Sequence, residues 1–100
     1  MSRYNYFRNQ LVDGYAFPAR PQTTFNFLSR GFSFVNLGAS STLEYSFDGY
    51  NVHGNLVAGS SYAGLVFDNR LEDRVWWRRG ATSPATTVRV EAWGEWGRVN

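Results

Sequence analysis

Leu43, Tyr45 and Phe47 alternate with Thr42, Glu44 and Ser46, the period of two expected of a strand with one face in a core and one in water. The same alternation places Val75 and Trp77 opposite Arg74, Trp76 and Arg78, and Val88, Val90 and Ala92 opposite Arg89, Glu91 and Trp93. Residues 23–28 and 32–37 carry Phe25 and Phe27, then Phe32 and Phe34, at alternate positions, and residues 62–67 carry Leu65 and Phe67. Between these runs lie turn signals. Ser29-Arg30-Gly31 has the length of a hairpin loop, with Gly31 available for positive φ. Asp48-Gly49 is the strongest turn pair, and Gly54 interrupts a returning strand over residues 52–56, as at a bulge or a close backbone approach. Small or polar residues fill 38–41, 59–61, 68–73 and 80–85. A helical period is nowhere sustained over three turns. The pattern predicts an all-β chain, a single β-sandwich or jelly-roll-like domain of about seven short antiparallel strands.

Residues 1–22 fit this pattern poorly. Tyr4, Phe7, Arg8 and Leu11 would share a helix face, while Tyr4 and Tyr6 would share a strand face. Pro18 and Pro21 impose extended backbone on Phe17 and Arg20. The segment is too apolar for a solvated tail. Either it folds back on its own domain or, the reading favoured for an aromatic, Pro-punctuated segment, it is an extended N-terminal arm docking Tyr4, Tyr6, Phe7, Leu11, Tyr15 and Phe17 on a neighbouring subunit, ahead of a β-sandwich domain over residues 23–100.

Composition narrows the possibilities further. One hundred residues suffice for one small domain, and 18% aromatic content suits strands packed through rings. Without cysteine there is no disulfide, thiolate nucleophile or cysteine-based zinc site. No apolar run approaches the ~20 residues of a membrane helix, and the N-terminus shows no apolar h-region, so cytoplasmic synthesis without export is expected. All ten basic residues are Arg, against eight acids. A net charge of +2 is weak for a nucleic-acid partner, whereas Arg suits protein interfaces.

Candidate chemistry is sparse. His53 is the only histidine; Asp48 or Asp68 could orient it, but no serine sits in a nucleophile elbow. Asp48 before Gly49 reads as a turn former. Asp68, Asn69, Glu72 and Asp73 lack the loop spacing of a calcium site, and no glycine-rich phosphate loop exists. No catalytic residue, metal or cofactor is expected. The sharper feature is the set Trp76, Trp77, Arg78, Arg79, Arg89, Trp93 and Trp96. It fits a protein interface through Trp76, Arg78, Arg89 and Trp93. It also fits a sugar platform on Trp76, Trp93 or Trp96, or a single-stranded nucleic-acid groove through Arg78, Arg79 and Arg89. Plain sheet packing is the competing account, with Arg74 or Arg78 paired across strands with Glu91.

The ordered motifs Leu43-Glu44-Tyr45-Ser46-Phe47-Asp48-Gly49, Val52-His53-Gly54, Leu65-Val66-Phe67-Asp68-Asn69-Arg70, Val75-Trp76-Trp77-Arg78 and Val88-Arg89-Val90-Glu91-Ala92-Trp93 resemble small β-rich structural proteins of tailed-bacteriophage virions over about residues 30–95. The resemblance implies a non-enzymatic virion component assembled in the host cytoplasm, foremost a capsid decoration (cement) protein. It implies a homo-oligomer such as a trimer, contacting the major capsid protein or other virion proteins, with no nucleic acid or membrane as partner. A head–tail or tail component is the alternative within that family, and a carbohydrate-binding sandwich the alternative outside it.

Overall fold

Phe25, Phe32, Phe34, Leu43, Tyr45, Val75, Trp77, Val88 and Val90 point into one core in the computed structural model, which describes residues 2–96 and the side chains of 5–94. The strands are β1 (Ser2–Val12), β2 (Thr23–Ser29), β3 (Gly31–Asn36), β4 (Thr42–Ser46), β5 (Gly54–Val57), β6 (Gly64–Phe67), β7 (Glu72–Arg79) and β8 (Thr86–Trp96). No helix occurs among the described residues. Two antiparallel sheets face each other, in the orders β1-β8-β3-β6 and β2-β7-β4-β5. Strands 1 and 8, 2 and 7, 3 and 6, and 4 and 5 all pair. The chain is thus one long antiparallel ribbon rolled on itself, with the β4–β5 turn at its tip. Rolling adds the β3–β8 and β4–β7 ladders, and this is the jelly-roll arrangement of two Greek keys.

The expected inward sets are those observed, because burying one face of each alternating strand removes its rings from water. Aromatic edges and faces interlock across the core. Phe34 meets the Trp77 ring edge-on at 4.7 Å between centroids, and Phe32 stacks on Phe67 at 4.8 Å, both geometries favoured by the ring quadrupole.

Several local expectations differ from the structure. There are eight strands rather than seven, because residues 2–12 form β1, paired without a break from Ser2↔Trp96 to Val12↔Thr86. Val12 is buried in the core and Tyr6 packs against it edge-to-face with Phe25, so this part of the expected arm belongs to the sandwich. Only residues 13–22 form a connector. The step through Arg30 is not a hairpin, since β2 and β3 lie in different sheets. The chain turns a corner there, and the Ser29 hydroxyl bonds the carbonyls of Gly31 (2.7 Å) and Trp93 (2.8 Å). Positive φ falls instead on Asn26, where the β2–β7 register shifts, and on Gly49, Gly59 and Thr82 in turns between strands. Gly54 marks a close approach, since a Cβ there would lie 2.2 Å from the Tyr45 hydroxyl. Glu91 faces Phe7 and Ser33 in the first sheet, so the cross-strand partner of Arg78 is Glu44, 2.6 Å away in the other sheet.

Candidate functional site

The outer face of the β1-β8-β3-β6 sheet is a grid set by register. Its rows run Leu11–Thr87, Asn9–Arg89–Val35–Gly64, Phe7–Glu91–Ser33–Val66 and Asn5–Trp93–Gly31. Phe7 is 63% exposed, Leu11 58%, Val66 70% and Trp93 43%. The Trp93 indole lies across Gly31, where an added Cβ would come within 2.1 Å of its Nε1. Glycine at this position lets the ring lie against the sheet. Phe7 and Trp93 are diagonal neighbours across β1 and β8, within reach of each other's large side chains. With Asn5, Tyr6, Glu91 and Ala92 they line an open hollow of about 300 Å³. Ser33 Oγ donates to Glu91 Oε1 at 3.5 Å, and Arg89 Nε is buried with no hydrogen-bond partner.

The other sheet is clothed by its own chain. The connector over residues 13–22 crosses it, held by Arg79, which donates to the Asp13 carbonyl (2.6 Å) and the Ser83 carbonyl (3.2 Å) and stacks on Tyr15 at 4.0 Å. Arg78 bonds Glu44 and covers Phe17 at 4.5 Å. The alternation of residues 74–78 left open which set faces inward; Trp76 points outward, yet it is buried, because Phe17, Pro18, Ala19 and Gly49 surround it. Trp77 lies in the core and donates to the Thr23 hydroxyl at 3.0 Å. The expected interface residues therefore separate. Phe7, Leu11, Arg89 and Trp93 share one exposed face; Tyr15, Phe17, Trp76 and Arg78 form an intramolecular cluster on the opposite one; Tyr6 turns inward. The side chains of Tyr4 and Trp96 lie outside the described residues. Trp76 is too covered to serve as a sugar platform. Arg78 and Arg79 lie on the opposite side of the sandwich from Arg89, so the three do not line one groove.

Among the described residues, neither His53 nor the carboxylates are brought together with a nucleophile or a metal-ligand set. His53 Nδ1 accepts the Phe47 N–H at 3.1 Å, a backbone tie. Asp48 accepts the N–H groups of Tyr50 and Asn51 (both 2.8 Å), the Asn51 amide and the Ser46 hydroxyl. The Asn51 and Tyr50 backbone bonds are the main causes that hold its carboxyl far below the ordinary range. Burial raises the Tyr45 hydroxyl pKa, opposed by the charge of Arg70. No group of three potential metal ligands occurs among the described residues. No protein-family model matches the chain, and no curated protein matches it in sequence.

A further polar centre went unread in the sequence. Asn36 is buried, and its amide donates to the carbonyls of Ser41 (3.0 Å) and Leu56 (3.1 Å). Its oxygen accepts the Gly38 N–H (3.0 Å) and the Thr86 hydroxyl (3.1 Å). All four bonding positions of the amide are used, and they tie together β3, β5, β8 and the approach to β4. The only sequence signal is an Asn at an inward position of an alternating strand.

Proposed function

We propose that this chain is a non-enzymatic structural subunit that acts through its surface, as a capsid decoration protein of a tailed-phage virion. One observation carries the assembly reading. The β1-β8-β3-β6 face leaves Phe7, Leu11 and Trp93 uncovered near a free edge, while Trp76 on the opposite face is already covered by Phe17, Pro18 and Ala19. Large exposed rings beside Arg and Asn are the material of interface anchors. The virion role rests on the resemblance of residues 30–95. Jelly rolls also build capsid and lectin domains, a fold-level analogy that does not choose between them. Light scattering of the purified chain and cryo-electron microscopy of virions test the proposal. An oligomer and matching density on the shell are expected, and a strict monomer absent from particles overturns it.

A second reading has its own support. Trp93 lies against Gly31 beside Asn5 and Glu91, an aromatic platform with hydrogen-bonding groups at its margin. A sugar stacked there would shift Trp93 fluorescence, and an array of glycans without a hit removes this reading.

A further inference from the structure

The four sheet edges differ in how open they are to another strand. β5 and β6 have four residues each, and β2 has a register shift with Asn26 at φ 67°. Short and bulged edges resist pairing with other chains. By contrast, β1 is an eleven-residue edge with no proline, no glycine and no register shift.

The direction of its free hydrogen-bonding groups follows from one bond. Leu37 N donates to the Thr87 carbonyl at 2.9 Å, so Thr87 faces β3, and alternation turns Val88, Val90 and Ala92 toward β1. Their partners Gln10, Arg8 and Tyr6 face back. Asn5, Phe7, Asn9 and Leu11 therefore direct N–H and C=O to the open edge and side chains to the outer face.

We infer that β1 pairs antiparallel with β1 of a second copy, centred on Asn9 against Asn9 of the partner subunit. The inference rests on the assembly role proposed above and specifies its contact. Centring fixes every other pair. Phe7 meets the partner's Leu11, and Leu11 meets the partner's Phe7, so the two exposed apolar residues of β1 cover each other twice. Arg8 faces the partner's Gln10, and Asn5 faces the partner's Asp13. Centring on Arg8 would oppose two like charges, which is destabilising; centring on Phe7 would set Leu11 against the partner's Arg3, and centring on Tyr6 would set Phe7 against the partner's Asn5. The product is one sheet continuous across a two-fold axis. Nine residues a side is less than the about 20–30 of a standard interface, so the dimer forms reversibly at micromolar concentration, and repeated copies on a surface add avidity.

The absence of cysteine makes the test direct. A hydrogen-bonded antiparallel pair places Cα atoms about 5.5 Å apart, within disulfide range. Single variants Asn5→Cys, Phe7→Cys, Asn9→Cys and Leu11→Cys are oxidised in a glutathione buffer, with Val66→Cys as an exposed control. Asn9→Cys is expected to cross-link at least about tenfold faster than the others. Asn9→Pro removes an N–H that points outward, so it costs no intrachain ladder bond. It is expected to be monomeric by light scattering at concentrations where the parent chain is dimeric, with the same circular dichroism. Fastest cross-linking at another position, or rates no faster than the control, would overturn the pairing. So would an Asn9→Pro dimer, although that result leaves the assembly role standing. A parent chain monomeric at millimolar concentration also ends the pairing, whereas the assembly role ends only if the chain is missing from particles too.

Discussion

At the residue scale, the polar side chains of this protein act on its own backbone. Asn36 satisfies four groups from three neighbouring segments, and truncation would leave buried carbonyls and a hydroxyl without those bonds. Asn36→Ala is expected to cost about 3 kcal/mol, lowering Tm by more than about 10 °C for a domain of this size, as read by calorimetry. Asp48 makes stability pH-dependent. Its carboxyl binds a proton in the folded chain only well below the value of about 4 found in an unfolded one. Between those values the unfolded state holds more protons, so stability rises with pH there. The contribution is complete above the unfolded value and lost as pH falls toward the folded one. Tm should drop from about pH 5 downward, and Asp48→Asn should melt lower at neutral pH with the gap closing toward acid.

At the element scale, the β1–β2 connector shows how a proline is accommodated beside a ladder. Extending the Thr23↔Val75 and Thr24↔Arg74 register brings Pro21 opposite Trp77, and proline has no N–H to give. The Gln22 side chain makes both bonds to the Trp77 backbone instead, accepting its N–H at 2.9 Å and donating to its carbonyl at 2.7 Å. Gln22→Ala should therefore cost about 1–2 kcal/mol and speed hydrogen exchange at the Trp77 amide while distant amides are unchanged. Exchange measured by NMR reads both effects. The strands themselves were largely legible, since each of β3, β4, β7 and β8 buries one alternating face. β1 was not, because both of its faces mix polar and apolar residues: Asn5, Phe7, Asn9 and Leu11 on one, Tyr6, Arg8, Gln10 and Val12 on the other. A strand at a sheet's edge is only half-covered, so its pattern is correspondingly weak.

At the scale of the whole molecule, the rolled ribbon joins the first strand to the last, over principal extents of 47 × 28 × 19 Å. Pairing of distant segments costs loop entropy before it returns stability. Residues 2–12 are needed for that closure, as they pair β8 along its length and set Val12 in the core. A chain lacking residues 1–12 is expected to lose its cooperative thermal transition, which calorimetry would register; an unchanged melting curve would mean that β1 is a dispensable arm. The candidate site was half-legible at this scale. Trp76 and Trp93 look alike in sequence, each on the polar side of an alternating strand. One is covered by Phe17, Pro18 and Ala19 from a connector more than fifty positions away, and the other is not.

By itself the sequence determined the class of fold and the inward face of most strands, because alternation and turn chemistry act between near neighbours. Which strands pair, which outward aromatics are covered and which edge is left open depend on contacts between distant segments. Only the tertiary structure decided those.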